Sequence, residues 1–239
     1  MDKSKILGAS IAIIYILFVV YLFNGQFSVA YTISSLLCPF IALMYFLSVK
    51  RKTIPFMLFL VLYSISDLLA LFRQYMPDDG DYYVGNTLYI LAYGSLVFEI
   101  CRTVCVLKVL KNFKFHMVVL LALNIYIIYV LHAMVEPFVA FTNEFFIELV
   151  YNIIILMLLS LSLLNYFYKD TRKSLYMFIG ALCIVFAEVI ATAFWYLSNR
   201  EMVLNFFSVT LYLVAFIFFF KQAKIRHKQI INRFASEEY

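Results

Sequence analysis

Apolar residues run along this chain in stretches long enough to cross a bilayer, separated by short polar intervals. Eight such runs occupy roughly 6–23, 31–49, 54–72, 85–107, 115–132, 147–168, 174–197 and 203–220, and a helix needs about 20 apolar residues to traverse the hydrocarbon. Open strands in lipid leave backbone groups unpaired, so the runs read as helices. The pattern predicts an all-α fold, a polytopic integral membrane bundle of eight transmembrane helices, with 1–239 as a single transmembrane domain.

Composition agrees. Hydrophobic residues make up 65% of the chain and charged residues 14%, against about 45–50% and about 25% in soluble domains. A core of this size cannot bury that excess. The 26 Phe against 6 Gly and 4 Pro also exclude disordered and collagen-like chains.

The net charge of +5 changes the picture only through its placement. Of the 19 Lys and Arg, 16 sit at alternate ends of the runs: Lys3 and Lys5, Lys50 to Lys52, Lys108 to Lys114, Lys169 to Lys173, and Lys221 to Arg233. The opposite connections carry Asp78, Asp79, Asp81, Glu136, Glu144 and Glu201. This alternation predicts cytoplasmic N and C termini, and short loop clusters of this kind argue against a nucleic-acid partner. Lys3, Lys5, the first apolar run and Ser28-Val29-Ala30 also permit a cleaved signal peptide, though the run is longer than a usual one. Short loops fit a bacterial inner (plasma) membrane protein.

Two segments repeat. Thr87-Leu88-Tyr89-Ile90-Leu91-Ala92-Tyr93 in the fourth run matches Thr210-Leu211-Tyr212-Leu213-Val214-Ala215-Phe216 in the eighth. Asp67-Leu68-Leu69-Ala70 in the third matches Glu188-Val189-Ile190-Ala191 in the seventh. Both pairs lie four runs apart, which predicts two parallel four-helix repeats, 1–114 and 115–239. Chance similarity in so apolar a sequence is the alternative.

Four ionisable residues fall deep inside runs: Asp67, Glu99, Arg102 and Glu188. Each costs about 2.5–3.5 kcal/mol on insertion, which marks it for attention. At 1.5 Å per residue, Asp67, Glu188 and Tyr93 all sit about 20 Å above the basic ends of their helices. Two carboxyls facing each other in a dry site hold one proton between them at neutral pH, and so supply an acid and a base together. Equally open is a structural role, each acid hydrogen-bonded to Ser64, Ser66, Thr192 or a tyrosine. Glu99 and Arg102 are three residues apart and are expected to pair along one helix face. Arg102 lies near the cytoplasmic end and is also a candidate for holding a lipid phosphate. Glu148 reads as interfacial. Asn124, Asn152 and Asn165 read as interhelical hydrogen-bonding residues. Tyr89, Tyr93 and Tyr212 are singled out by the repeat as candidate substrate-binding residues.

No metal or cofactor is expected. His116, His132 and His227 lie at run ends or in the tail, and Cys38, Cys101, Cys105 and Cys183 lie within apolar runs without zinc-site spacing. HExxH, GxSxG and phosphate-binding glycine loops are absent from the sequence.

The run Ser64-Ile65-Ser66-Asp67-Leu68-Leu69, with Gly85 opening the next span, resembles the YhhN-type family of eight-span membrane proteins, the lysoplasmalogenases. Gly180-Ala181 followed by Ala187-Glu188, and Tyr212 followed by Phe216, extend the likeness over the whole chain. The family pattern has Gly where this chain has Ser66, Ser-Asp where it has Ala187-Glu188, and Gln or His where it has Phe216. The family's fourth-span histidine is missing, with Tyr89 or Tyr93 as stand-ins. The resemblance implies a hydrolase acting on the vinyl ether bond of a single-chain lysophospholipid, with Asp67 and Glu188 as the catalytic acids. Tyr89, Tyr93, Tyr212 and Arg102 are the candidates for contacting that lipid. Vinyl ethers hydrolyse through an oxocarbenium ion, as glycosides do, so paired carboxyls suit the chemistry. The alternatives from other classes are a non-catalytic lipid-binding protein or a proton-coupled carrier.

Overall fold

The structure is a computed structural model that describes residues 3–50, 52–75, 80–103, 113–139, 143–197 and 201–225. Its elements are helical throughout: α1 (Lys3–Phe23), α2 (Phe27–Ser34), α3 (Leu37–Ser48), α4 (Ile54–Leu69), α5 (Gly80–Thr103), α6 (Lys114–Val139), α7 (Asn143–Lys169), α8 (Arg172–Thr192) and α9 (Met202–Lys224). A 3₁₀ segment, Ala70–Tyr75, extends α4, and a π segment, Ala193–Leu197, extends α8. Counting α2 with α3 and each extension with its helix, the described residues contain eight helices long and apolar enough to cross a membrane. This points to an integral membrane protein.

Local chemistry explains where these helices break. The second apolar run is two helices, not the single one expected over 31–49. Pro39 has no N–H to offer the Ser35 carbonyl, and its ring crowds that position, so the helix turns at Ser35 and Leu36 and restarts. Pro55 sits in the first turn of α4, where a missing N–H costs nothing. Between α7 and α8 the chain reverses in two residues. Asp170 takes a left-handed φ of 45°, which Asp tolerates. Thr171 then caps α8 in a box with Ser174, its hydroxyl accepting from the Ser174 N–H at 3.2 Å. The fourth helix starts at Gly80, five residues earlier than the apolar run suggests. Residues 104–107 of that run, and Cys105 with them, lie outside the described residues.

Six helices form a ring in the order α3, α4, α5, α7, α8, α9, and α9 returns to pack on α3. α1 packs outside the ring on α2, α3 and α9, and α6 packs outside on α7, α8 and the π segment. Each half of the chain thus contributes one outer helix followed by three ring spans. The inner faces carry Phe59, Leu60, Tyr93, Leu96, Ile155, Ala181, Ile184 and Phe219, all buried. Large apolar residues such as Ile13, Leu47, Phe98, Phe115 and Tyr129 point outward. So wide an apolar exterior suits lipid, not water.

α8 and α9 pack tightly at Gly180. A Cβ built there stands 2.4 Å from a Phe219 ring carbon. Phe219 is itself fully buried and packs edge-on to Phe59 with centroids 5.6 Å apart. The ring has nowhere to go, so Gly180→Ala is expected to destabilise the bundle by about 1–3 kcal/mol. A thermal melt of the detergent-solubilised protein should show a lower midpoint, and an unchanged midpoint would contradict this packing.

Candidate functional site

Three departures from regular α geometry gather at one end of the ring: the α2–α3 break, the 3₁₀ segment after α4 and the π segment after α8. Between them lies a chamber of about 550 Å³. Its deep part is walled by Cys38, Tyr63, Tyr89, Tyr151, Tyr212 and Phe216, with Asp67 and Glu188 both facing in. Its mouth is formed by Tyr31, Tyr82, Glu148, Trp195 and Tyr196, residues close to the helix ends that the acidic connections join. The opposite end is sealed. Phe59 stacks on Phe216 at 5.6 Å and meets Phe219 edge-on below it.

The two deep carboxyls sit in a cage of phenols. Tyr89 donates to Asp67 Oδ1 at 2.7 Å. Glu188 is 9% exposed, which is deep for a carboxylate, and it accepts from Tyr151 and, at 3.4 Å, from Tyr93, with Tyr212 beside it. Tyr93 in turn meets the Tyr63 ring edge-on at 5.8 Å, and Tyr63 packs against Tyr89 at 4.6 Å. The phenols supply the donors that a carboxyl group taken out of water requires.

Both pairs of matching segments contribute residues to the chamber. Tyr89 donates to Asp67, and its match in the second half, Tyr212, lies beside Glu188 on the chamber wall. Ala70 and Ala191, one turn beyond each acid, both line the chamber. Ser66 donates to the Gly85 carbonyl at 3.0 Å, while Ser208 donates to the Ala187 carbonyl at 3.2 Å. These are the same two repeat positions, tied by one serine in each half but from opposite helices.

Asp67, Glu188, Tyr89, Tyr93 and Tyr212 are thus brought together, although Tyr93 stands behind the chamber wall. Arg102 is not among them. It is exposed on the outer face of α5, with its guanidinium 5.9 Å from the Phe98 ring centroid, beside an apolar groove between α4 and α5. The expected Glu99–Arg102 pair does not form either. Glu99 is buried and turns inward, where Lys169, Lys173 and Tyr45 feel its charge. Ser64 bonds Cys38 and Ser66 bonds the α5 backbone, so neither serves Asp67. Of the asparagines, Asn124 does link helices, donating to Ser160 at 2.8 Å. Asn152 instead lines the chamber.

The sequence reading missed Glu148, Tyr151 and Asn152 as chamber residues. A signal was present: they are spaced three and four apart and therefore share one face of α7. Tyr82, which donates to Glu148 Oε1 at 2.8 Å, carried no such signal. Three carboxyls therefore reach one chamber. They do not gather into a metal-binding set, since no group of three or more His, Cys, Asp or Glu among the described residues could hold a metal ion.

The arrangement defines a class, a helical bundle with a carboxyl- and phenol-lined chamber inside a ring of membrane-length helices. Beyond that class the comparisons add no identity: no family model, no curated protein and no solved structure matches the chain.

Proposed function

We propose that this protein is a membrane hydrolase that cleaves the vinyl ether bond of a lysoplasmalogen-type lipid, with Asp67 and Glu188 as its acid and base. The observation that carries the reading is that both acids open onto one chamber and each accepts from tyrosine, Asp67 from Tyr89 and Glu188 from Tyr151 and Tyr93. The chamber's 550 Å³ falls within the about 300–1,000 Å³ of ordinary ligand sites.

The chemistry follows from proton placement. One carboxylic acid delivers its proton to the vinyl carbon remote from the ether oxygen, and the adjacent carbon and the oxygen share the positive charge. The opposing carboxylate stabilises that oxocarbenium ion and accepts a proton from the attacking water. The resulting hemiacetal collapses to an aldehyde and the glycerophospho-alcohol. One water is consumed, and the proton taken from it passes back from the second carboxyl to the first, which restores the starting state. The nearby phenols orient the lipid and the water. The likeness to the YhhN-type pattern supports this choice of bond, and the alternation of basic connections supports an orientation with cytoplasmic termini and the mouth on the far side, as in a bacterial inner membrane.

A second reading rests on a specific observation. The chamber is open toward one end and sealed at the other by Phe59, Phe216 and Phe219, and it is built by two similar halves, as in a carrier caught facing one side. The two readings separate on product. The full chain in vesicles with lysoplasmenyl lipid is expected to release aldehyde. Uptake driven by a pH gradient with no aldehyde would support the carrier and reject the hydrolase.

A further inference from the structure

The charge of the chamber wall is one-sided. Asp67, Glu148 and Glu188 face the cavity, and among the described residues that line it there is no Lys, Arg or His. Seven of the lining residues are tyrosines and one is Trp195, the single tryptophan of the chain. At the mouth, Tyr31 stacks on Trp195 with centroids 5.6 Å apart. Glu148 stands there too, fixed by Tyr82. Asn152, 5% exposed, also lines the chamber and adds a polar group to its wall.

A carboxyl flanked by aromatic faces is the arrangement that attracts an organic ammonium ion. The ring quadrupoles stabilise a diffuse cation, and the carboxylate supplies the counter-charge. A metal ion is poorly suited, because the three carboxyls do not converge on one point. A free anion would meet acceptors and no cationic side chain. We propose that the chamber binds a ligand through a quaternary or protonated amine, held at the mouth by Glu148 and the rings of Tyr31, Tyr82 and Trp195. Glu148 is then a specificity residue, separate from the deep pair. The inference shares its chamber with the hydrolase reading but does not require turnover. The ammonium group belongs either to a lipid headgroup or to a small free amine.

Trp195 in the wall is a built-in reporter. The full chain in detergent is titrated with choline and, separately, with 3,3-dimethylbutan-1-ol, the neutral isostere of choline. Saturable quenching of tryptophan fluorescence by choline, at least tenfold tighter than by the neutral alcohol, is expected. Glu148→Gln should remove that preference, while Tyr82→Phe, which keeps the ring, should change it less than threefold. Lysophosphatidylcholine binding better than lysophosphatidylglycerol assigns the ammonium to a lipid headgroup, and choline binding without that difference assigns it to a small amine. Equal binding of choline and its neutral isostere, or no saturable change with either, overturns the proposal. Absent aldehyde release with choline binding retained defeats the hydrolase reading alone. If Glu148→Gln fails to fold, the wild-type comparison of choline with its isostere still decides.

Discussion

Asp67→Asn and Glu188→Gln are each expected to lower aldehyde release from lysoplasmenyl lipid by at least about a hundredfold, the usual range for loss of a positioned acid or base being 10²–10⁴. Each amide keeps the shape of the group it replaces and can still accept from its tyrosine, Tyr89 in one case and Tyr151 in the other. Folding should therefore survive, and the loss should appear in kcat more than in KM. The double variant should be little worse than either single one, because an acid and a base that serve one proton relay fail together. Full activity in either single variant rejects the assignment. Measured with the thermal midpoint of each variant, the experiment also separates chemistry from structure. A structural role predicts a fallen midpoint, and a catalytic role predicts an unchanged midpoint with lost turnover.

Filling the chamber should come close to that effect without touching an acid. Ala70 and Ala191 occupy equivalent repeat positions and both face the cavity. Ala191→Phe extends a ring from the chamber wall toward the cavity. The expected result is at least a tenfold loss of activity and of choline binding, with a thermal midpoint that holds or rises, since filling a void stabilises. Gly180→Ala should behave in the opposite sense, costing stability through the Phe219 clash. A variant at Ala191 that lost stability and kept full activity would mean that the chamber is not where the ligand sits.

The site shows why the repeat was a better guide than any lone residue. Asp67 and Glu188 are separated by the whole middle of the chain, and nothing local ties them together. Their matched depth and following aliphatic pair did mark them. So did the Thr-Leu-Tyr of each half, whose tyrosine lines the same chamber as the acids. Arg102 and Glu99 had only i, i+3 spacing to recommend them. That spacing permits a pair and does not require it, and burial of Glu99 toward Lys169 and Lys173 won.

Apolar run length by itself determined the eight helices, because each must satisfy its own backbone in lipid regardless of its neighbours. The basic clusters and the two matching segments were equally local, whereas the interruption of the second run at Pro39 escaped a reading by apolar run length. Tertiary structure alone decided which helices form the ring and which stand outside it. It also decided that the 3₁₀ and π segments lie at one end, and that Glu148, Tyr151 and Asn152 join the two marked acids. Lipid-facing and ring-facing sides of such helices are alike in hydropathy, so sequence pattern cannot orient them, and only the fit of side chains between helices does.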